Sequence, residues 1–337
     1  MRGVLRRDRL VQRLLVLSFC TVALLTAASG SASATAAPSC RVGVYLADLY
    51  DIDPVRDTIG ADMWLWALCP TAELDPTRRF EFLNGNNIVQ SSHQIRKVGN
   101  QYWSQVKVEG TFREHIHIGD YPFDRQSISF LVEDSDLDSQ QLVLEPDVAN
   151  SSYNPDITLD FFRVSGFKVG ARIDRYPTTF GDPQLPSGSG SQYSQFVIDV
   201  ELVRTQFSSF FKETWPVYIV FMLAVISFLI WAEDLKTALT TRFAILGVSV
   251  FTLVVNMREA GQSLGGIVGV TLVDRIHWCT LAYVMVAMVT TTYVWRCLDT
   301  PDKHRGARRL NLIVAVASTV VYVGVVLSML MAALVAY

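Results

Sequence analysis

Four apolar stretches crowd the last part of this chain, and they leave few folds open to it. They run Trp215–Ala232, Ala238–Val255, Ile276–Trp295 and Leu312–Tyr337. Each approaches or exceeds the roughly 20 residues that a helix needs to cross a bilayer. Backbone in hydrocarbon must satisfy its own hydrogen bonds, so runs of this kind read as helices. Ahead of Arg204 the pattern changes to short alternating segments separated by turn residues. The fold class that follows is an all-β, immunoglobulin-like sandwich over 37–208 and an all-α four-helix transmembrane bundle over 209–337. The helices are expected at about 212–232, 238–259, 274–298 and 309–336.

At 337 residues the chain has room for two domains, and its net charge of −3 hides an uneven distribution. Between Arg41 and Phe211 there are 24 Asp/Glu against 14 Lys/Arg. With no basic stripe in that acidic half, nucleic acid is not an expected partner. Residues 1–36 read as a secretory signal, with Arg2, Arg6, Arg7, Arg9 and Arg13 ahead of the apolar Leu14–Ala28. Ala32-Ser33-Ala34 or Ala34-Thr35-Ala36 would serve for cleavage. Cys20 leaves with that segment, and Cys279 and Cys297 read as packing residues of the third span. Cys40 and Cys69 fall in the exported half, where a disulfide persists. They face each other if their strands pair about a turn near Pro54, although sequence alone leaves the connectivity open.

Strands are expected at Val42–Tyr50, Asp62–Leu68, Arg79–Leu83, Ile88–Ile95, Tyr102–Phe112, Ser127–Glu133, Gln141–Leu144, Phe161–Ile173 and Ser194–Val203. Their spacing suits an antiparallel sandwich. Trp64 and Trp66 share one strand face and read as core. Tyr176–Ser191, rich in Pro, Gly and Ser, reads as a long hairpin loop. The second apolar run differs from the others, because Thr240, Thr241, Ser249, Thr252 and Asn256 interrupt it. Lipid gives no reason for such residues, whereas a water-filled path does. Arg296, Lys303, Arg305, Arg308 and Arg309 cluster between the third and fourth runs, which places that link in the cytoplasm and the β domain outside a plasma membrane. His115 and His117, two apart on an expected strand, share a face, but no further metal ligand is evident and no metal is expected. No nucleophile–base pair or phosphate-cradling loop appears, so neither an enzyme nor a cofactor is expected.

Several of these features together resemble the pentameric ligand-gated ion channels, the Cys-loop receptor superfamily, in its bacterial branch. Tyr121-Pro122-Phe123-Asp124-Arg125-Gln126 is similar to the loop that names the superfamily, with Glu114 and Ile128 where its bracketing cysteines would fall. Gly43-Val44-Tyr45-Leu46 with Asp62-Met63-Trp64-Leu65-Trp66 resembles the first two strands. Arg204, Phe207 and Pro216 also sit at the expected intervals. The resemblance covers Val42 to the C-terminus and implies a homopentamer with a pore lined by the second helix. It implies gating by a small molecule, protons or a divalent cation, the acidic run Glu133–Asp138 keeping the last two open. Permeant inorganic ions and the lipid bilayer complete the expected partners. The runner-up is a membrane-tethered sensor that does not conduct.

Aligning Arg242 with the basic residue of the cytoplasmic pore mouth points Ala244, Val248, Phe251 and Val255 inward, as an apolar constriction. Polarity favours a competing face, Ser249, Thr252, Asn256 and Glu259. Glu233 and Asp234 are the selectivity candidates at one mouth, and Glu259 or Arg258 at the other; an acidic ring would select cations. The coupling residues implied are Asp53, Tyr121, Pro122, Phe123, Asp124 and Arg204, with Arg204 close to both Asp124 and Asp53. The link Gly261–Val270 joins them. The ligand site implied lies under the long hairpin, with Phe82, Tyr102, Trp103, Tyr153, Phe180 and Tyr193 as aromatic candidates.

Overall fold

Alternation of apolar and polar residues decides the first half of the chain. In a computed structural model that describes residues 37–337 apart from 160, 184, 187, 206–207, 232–234, 264–268, 298–303 and 337, ten strands precede four helices among the described residues. The strands are β1 (Ser39–Asp53), β2 (Thr58–Cys69), β3 (Phe80–Phe82), β4 (Gly85–Val98), β5 (Gln101–Arg113), β6 (Arg125–Asp134), β7 (Val143–Pro146), β8 (Ser152–Tyr153), β9 (Phe162–Tyr176) and β10 (Ser191–Arg204). One sheet is ordered β4-β5-β2-β1-β7 with β8 also on β1, and the other β3-β6-β10-β9. Every second residue faces the space between them: Val42, Val44 and Leu46, then Met63, Leu65 and Ala67, then Ile128, Phe130 and Val132, then Phe196, Ile198, Val200 and Leu202. A disulfide joins Cys40 to Cys69 at one end of the β1–β2 ladder, Cα to Cα 4.4 Å.

Two expectations of the sheet need correction. The pairing is not wholly antiparallel, because the short strands β7 and β8 both run parallel to β1. Trp64 and Trp66 are not core residues. Met63, Leu65 and Ala67 fill the core, so the tryptophans project from the other face. There Trp66 Nε1 donates to Asp147 at 3.2 Å, a partner that an indole in the core would lack. Its ring lies over Gly43, its cross-strand neighbour, where any Cβ would collide with it.

The helices are α1 (Ser208–Leu229), α2 (Leu235–Ser263), α3 (Leu272–Cys297) and α4 (His304–Ala336). All four are long and apolar enough to cross a membrane, the architecture of a multi-pass membrane protein. Their ends depart from the sequence reading. α1 starts earlier and stops before Trp231; α2 runs past Glu259 through Gly261 to Ser263. α4 begins at His304, since Arg and Ala carry a helix as readily as the apolar run behind them. α3 opens on a reciprocal cap: the Thr271 amide donates to Asp274 and the Asp274 amide to the Thr271 hydroxyl. A stacked Phe221–Tyr322 pair, centroids 4.1 Å apart, and a Tyr283–Thr319 hydrogen bond hold α4 against α1 and α3.

Gly43→Ala should destabilise the β domain by about 1–3 kcal/mol, since the Trp66 ring has to leave its place. Adding Trp66→Leu should recover most of that loss. Thermal unfolding of the single and double variants measures both.

Candidate functional site

Where β10 hands over to α1, an arginine is folded into the protein. Arg204, the last residue of its strand, is 7% exposed. Its Nε donates to Asp124 Oδ1 at 2.6 Å and its Nη2 to Oδ2 at 3.1 Å. The guanidinium lies over the rings of Phe162 at 4.2 Å and Tyr121 at 5.0 Å. Gln126 completes the carboxylate's shell, donating to Asp124 Oδ2 at 2.6 Å and bonding both main-chain groups of His117. These bonds clamp the segment between His117 and Gln126, which contains the cis Tyr121–Pro122 peptide, into a closed loop.

That loop enters the helices. Tyr121 and Phe123 belong to the same buried cluster as Phe210, Val217 and Ile276, and Phe123 meets Phe210 at 5.3 Å. The Tyr121 hydroxyl donates to the Glu213 carboxylate on α1 at 2.9 Å. Arg275 of α3 reaches the Gly119 carbonyl at 3.3 Å. Tyr121, Phe123, Asp124 and Arg204 are therefore brought together, with the Tyr121–Pro122 peptide among them. Asp53 is not. Its carboxylate is taken up inside its own turn, by the amides of Val55 and Arg56 and the Arg56 guanidinium. A turn supplies these donors at a shorter reach than the buried Arg204 does.

α2 has two unlike faces. Leu239, Arg242, Leu246, Ser249, Leu253 and Asn256 are buried against the other helices. Ala244, Val248, Phe251 and Val255 lie on the opposite side, the last three 60%, 71% and 41% exposed. Thr240, Thr241, Thr252, Arg258 and Glu259 are exposed as well. The competing polar face therefore divides: Thr252 and Glu259 are outward, while Ser249 and Asn256 point into the bundle. Arg242 is inward too, a departure from its expected place at a pore mouth. It is fully buried, and donates to the Phe228 and Ile230 carbonyls at 2.8 and 3.0 Å and to Asn311 Oδ1 at 2.9 Å. The last carbonyls of α1 have no intrahelical donor, and a guanidinium supplies several. Glu233 and Asp234 lie outside the described residues.

The aromatic candidates separate in the same way. Phe82 is core, edge-on to Phe112 at 5.5 Å. Tyr102 and Trp103 stand on the other sheet under Lys97 and Arg96, and Tyr153 meets Phe167. Phe180 and Tyr193 do converge, with Tyr176 between them at 5.3 and 5.9 Å. Tyr176 also donates to the Glu133 carboxylate, as does Gln195 at 2.8 Å. Burial pushes Glu133 above the ordinary carboxylate value, against those two hydrogen bonds, and the carboxylates of Asp174 and Glu81 add to the rise. Burial and Glu133 raise Tyr176 in turn. His115 and His117 lie past the end of β5, rings 4.7 Å apart, with His115 turned to Asp57.

Sequence reasoning gave no individual role to Gln126, Glu213, Tyr176 or His277. The signal for two of them was present: Glu213 at the head of the first apolar run and His277 within the third. An ionisable residue in such a run is costly unless it has a partner. A scan of protein-family models and a search of curated proteins return no match to this chain.

A raised carboxyl contributes stability that is present below its unfolded value, 4.5, and is lost as pH rises through the higher folded value. The wild-type unfolding midpoint should therefore fall relative to that of Glu133→Gln as pH rises from 4.5. Parallel midpoint curves would remove Glu133 from this role.

Proposed function

We propose that this chain is the subunit of a ligand-gated ion channel, of the pentameric superfamily that its sequence resembles, with five copies around a pore lined by α2. The observation that carries the reading is the division of α2. Its inward face is occupied by leucines and by the buried polar side chains of Arg242, Ser249 and Asn256, while Ala244, Val248, Phe251 and Val255 form an exposed apolar stripe. Threonines flank that stripe at one end and Arg258 and Glu259 at the other. A stripe facing only lipid has no use for charged and hydroxyl residues on the same face. Five copies facing an axis make a constriction that closes by dewetting, between polar mouths. The β domain stands outside the plasma membrane, and Glu233, Asp234 and Glu259 supply the charge that selects cations.

The ligand site of this reading is the cluster of Tyr176, Phe180 and Tyr193 beside Glu133. Three ring faces and a carboxylate suit a small organic cation. A change there reaches the joint along β10, which runs from Ser191 beside the cluster to Arg204.

Purified full-length protein in planar bilayers tests the reading. Phe251→Ala opens the narrowest ring and should raise the basal current several-fold, about 1 kcal/mol or more of gating bias. In asymmetric potassium chloride the reversal potential should follow the cation gradient. Silence of wild type and Phe251→Ala alike, through pH steps and added tetramethylammonium, would favour a tethered sensor that does not conduct.

A further inference from the structure

The inward face of α2 carries a line of polar contacts that an apolar pore stripe does not need. Asn256 of α2 and His277 of α3 are both buried, in a region otherwise built from Val217, Val220, Leu253 and Ile276. His277 Nδ1 lies 2.8 Å from the Val273 carbonyl, so this nitrogen carries the proton and donates it. Nε2 is then an acceptor, and the Asn256 amide nitrogen donates to it across 2.8 Å. The same nitrogen donates its second hydrogen to the Glu213 carbonyl of α1 at 3.0 Å. Two hydrogens meet two acceptors, which fixes the amide in one orientation. Turned over, it would set its own oxygen against the Glu213 carbonyl and leave Nε2 without a donor.

Glu213 is the shared member of this line. Its carboxylate takes the Tyr121 hydroxyl and its carbonyl takes Asn256. Pro216 lacks the amide that would serve the carbonyl of Lys212, so the ladder of α1 is already interrupted next to Glu213. Above Glu213, the Tyr121 ring lies beneath Arg204, which grips Asp124. A continuous path thus runs from the end of β10 through the clamped loop and α1 to α2 and α3. Within an apolar bundle water does not replace a lost partner, so breaking one bond leaves its neighbours unsatisfied.

We propose that Glu213, Asn256 and His277 are positioning residues of the coupling joint, passing displacement of the Tyr121 loop directly into α2. Its consequence for gating rests on the channel reading; its geometry does not. Contacts that merely held the bundle together would give independent losses when residues that do not touch are changed. A relay gives losses that overlap.

The test combines Tyr121→Phe, which deletes one hydroxyl, with Asn256→Leu, which deletes both amide bonds. The first readout is backbone hydrogen exchange in the full chain, held in lipid nanodiscs. Tyr121→Phe should speed exchange over residues 253–259 about twofold or more, the low end for members of one hydrogen-bond network. It should add nothing further in the Asn256→Leu chain. The second readout is the basal current of the Phe251→Ala protein, in which the two substitutions together should change the current by less than the product of their separate effects. Unchanged exchange in Tyr121→Phe overturns the relay, whether or not Asn256→Leu assembles. So do effects that multiply independently. Transmitted exchange in a protein that carries no current supports the relay and overturns the channel reading instead.

Discussion

The buried pair of Arg204 and Asp124 is the contact on which the union of sheet and helices depends. Neither side chain is more than 8% exposed, and two charges in such a place are tolerable only together. Losing one would strand the other at a cost of about 3–5 kcal/mol. The pair therefore fixes where the loop of Tyr121 and Phe123 sits, because Asp124 belongs to that loop and Arg204 ends the strand feeding α1. Gln126 holds the carboxylate from the far side, and the Phe162 and Tyr121 rings cover the guanidinium. The loop's contacts with α1, through Tyr121 and Phe123, lie beside that pair.

α2 is constrained near both ends by polar side chains on its hidden face. Asn256 ties it to α1 and α3, and Arg242 ties it to the end of α1 and to Asn311 of α4. Between these anchors lies Ser249, whose hydroxyl is buried without a hydrogen-bond partner among the described residues. The two anchors restrain the helix near its ends, and Leu246, Ser249 and Leu253 pack against the other helices between them. On the channel reading, the middle carries Val248 and Phe251, the residues whose displacement would open the constriction.

Much of the architecture was legible in the sequence, because the periodicities of strands and membrane helices are strong signals over this length. Alternation located the strands and the apolar runs located the helices to within a few residues. What periodicity does not encode is which face meets which neighbour. Ser249 and Asn256 belonged to the competing pore face, because polarity in a membrane helix suggests water. Asn256 is held inside by the Glu213 carbonyl and His277, partners on α1 and α3 that are distant in sequence, and Ser249 shares its buried face. Trp64 and Trp66 looked like core because they are large and apolar, yet the core was already filled by their strand neighbours, and Asp147 and Gly43 give Trp66 a place outside it. Arg204 with Asp124 followed from the resemblance, whereas Asp53 was drawn into the same cluster by proximity in the expected fold and is satisfied locally. Of the aromatic candidates, Phe180 and Tyr193 do meet, whereas Tyr176, which lies between them, read only as the start of a loop.

Whether the exposed stripe of α2 faces water across the membrane is measured most directly by thiol labelling. In a chain with Cys279 and Cys297 replaced by alanine, Ala244→Cys, Val248→Cys, Phe251→Cys and Val255→Cys are each reacted in membrane vesicles with a charged, membrane-impermeant methanethiosulfonate reagent. All four should label, from one side of the membrane or the other, while Ser249→Cys and Leu253→Cys stay protected within the bundle. Labelling confined to Ser249→Cys and Leu253→Cys, or no labelling at any of the four stripe positions, would contradict a pore lined by this face.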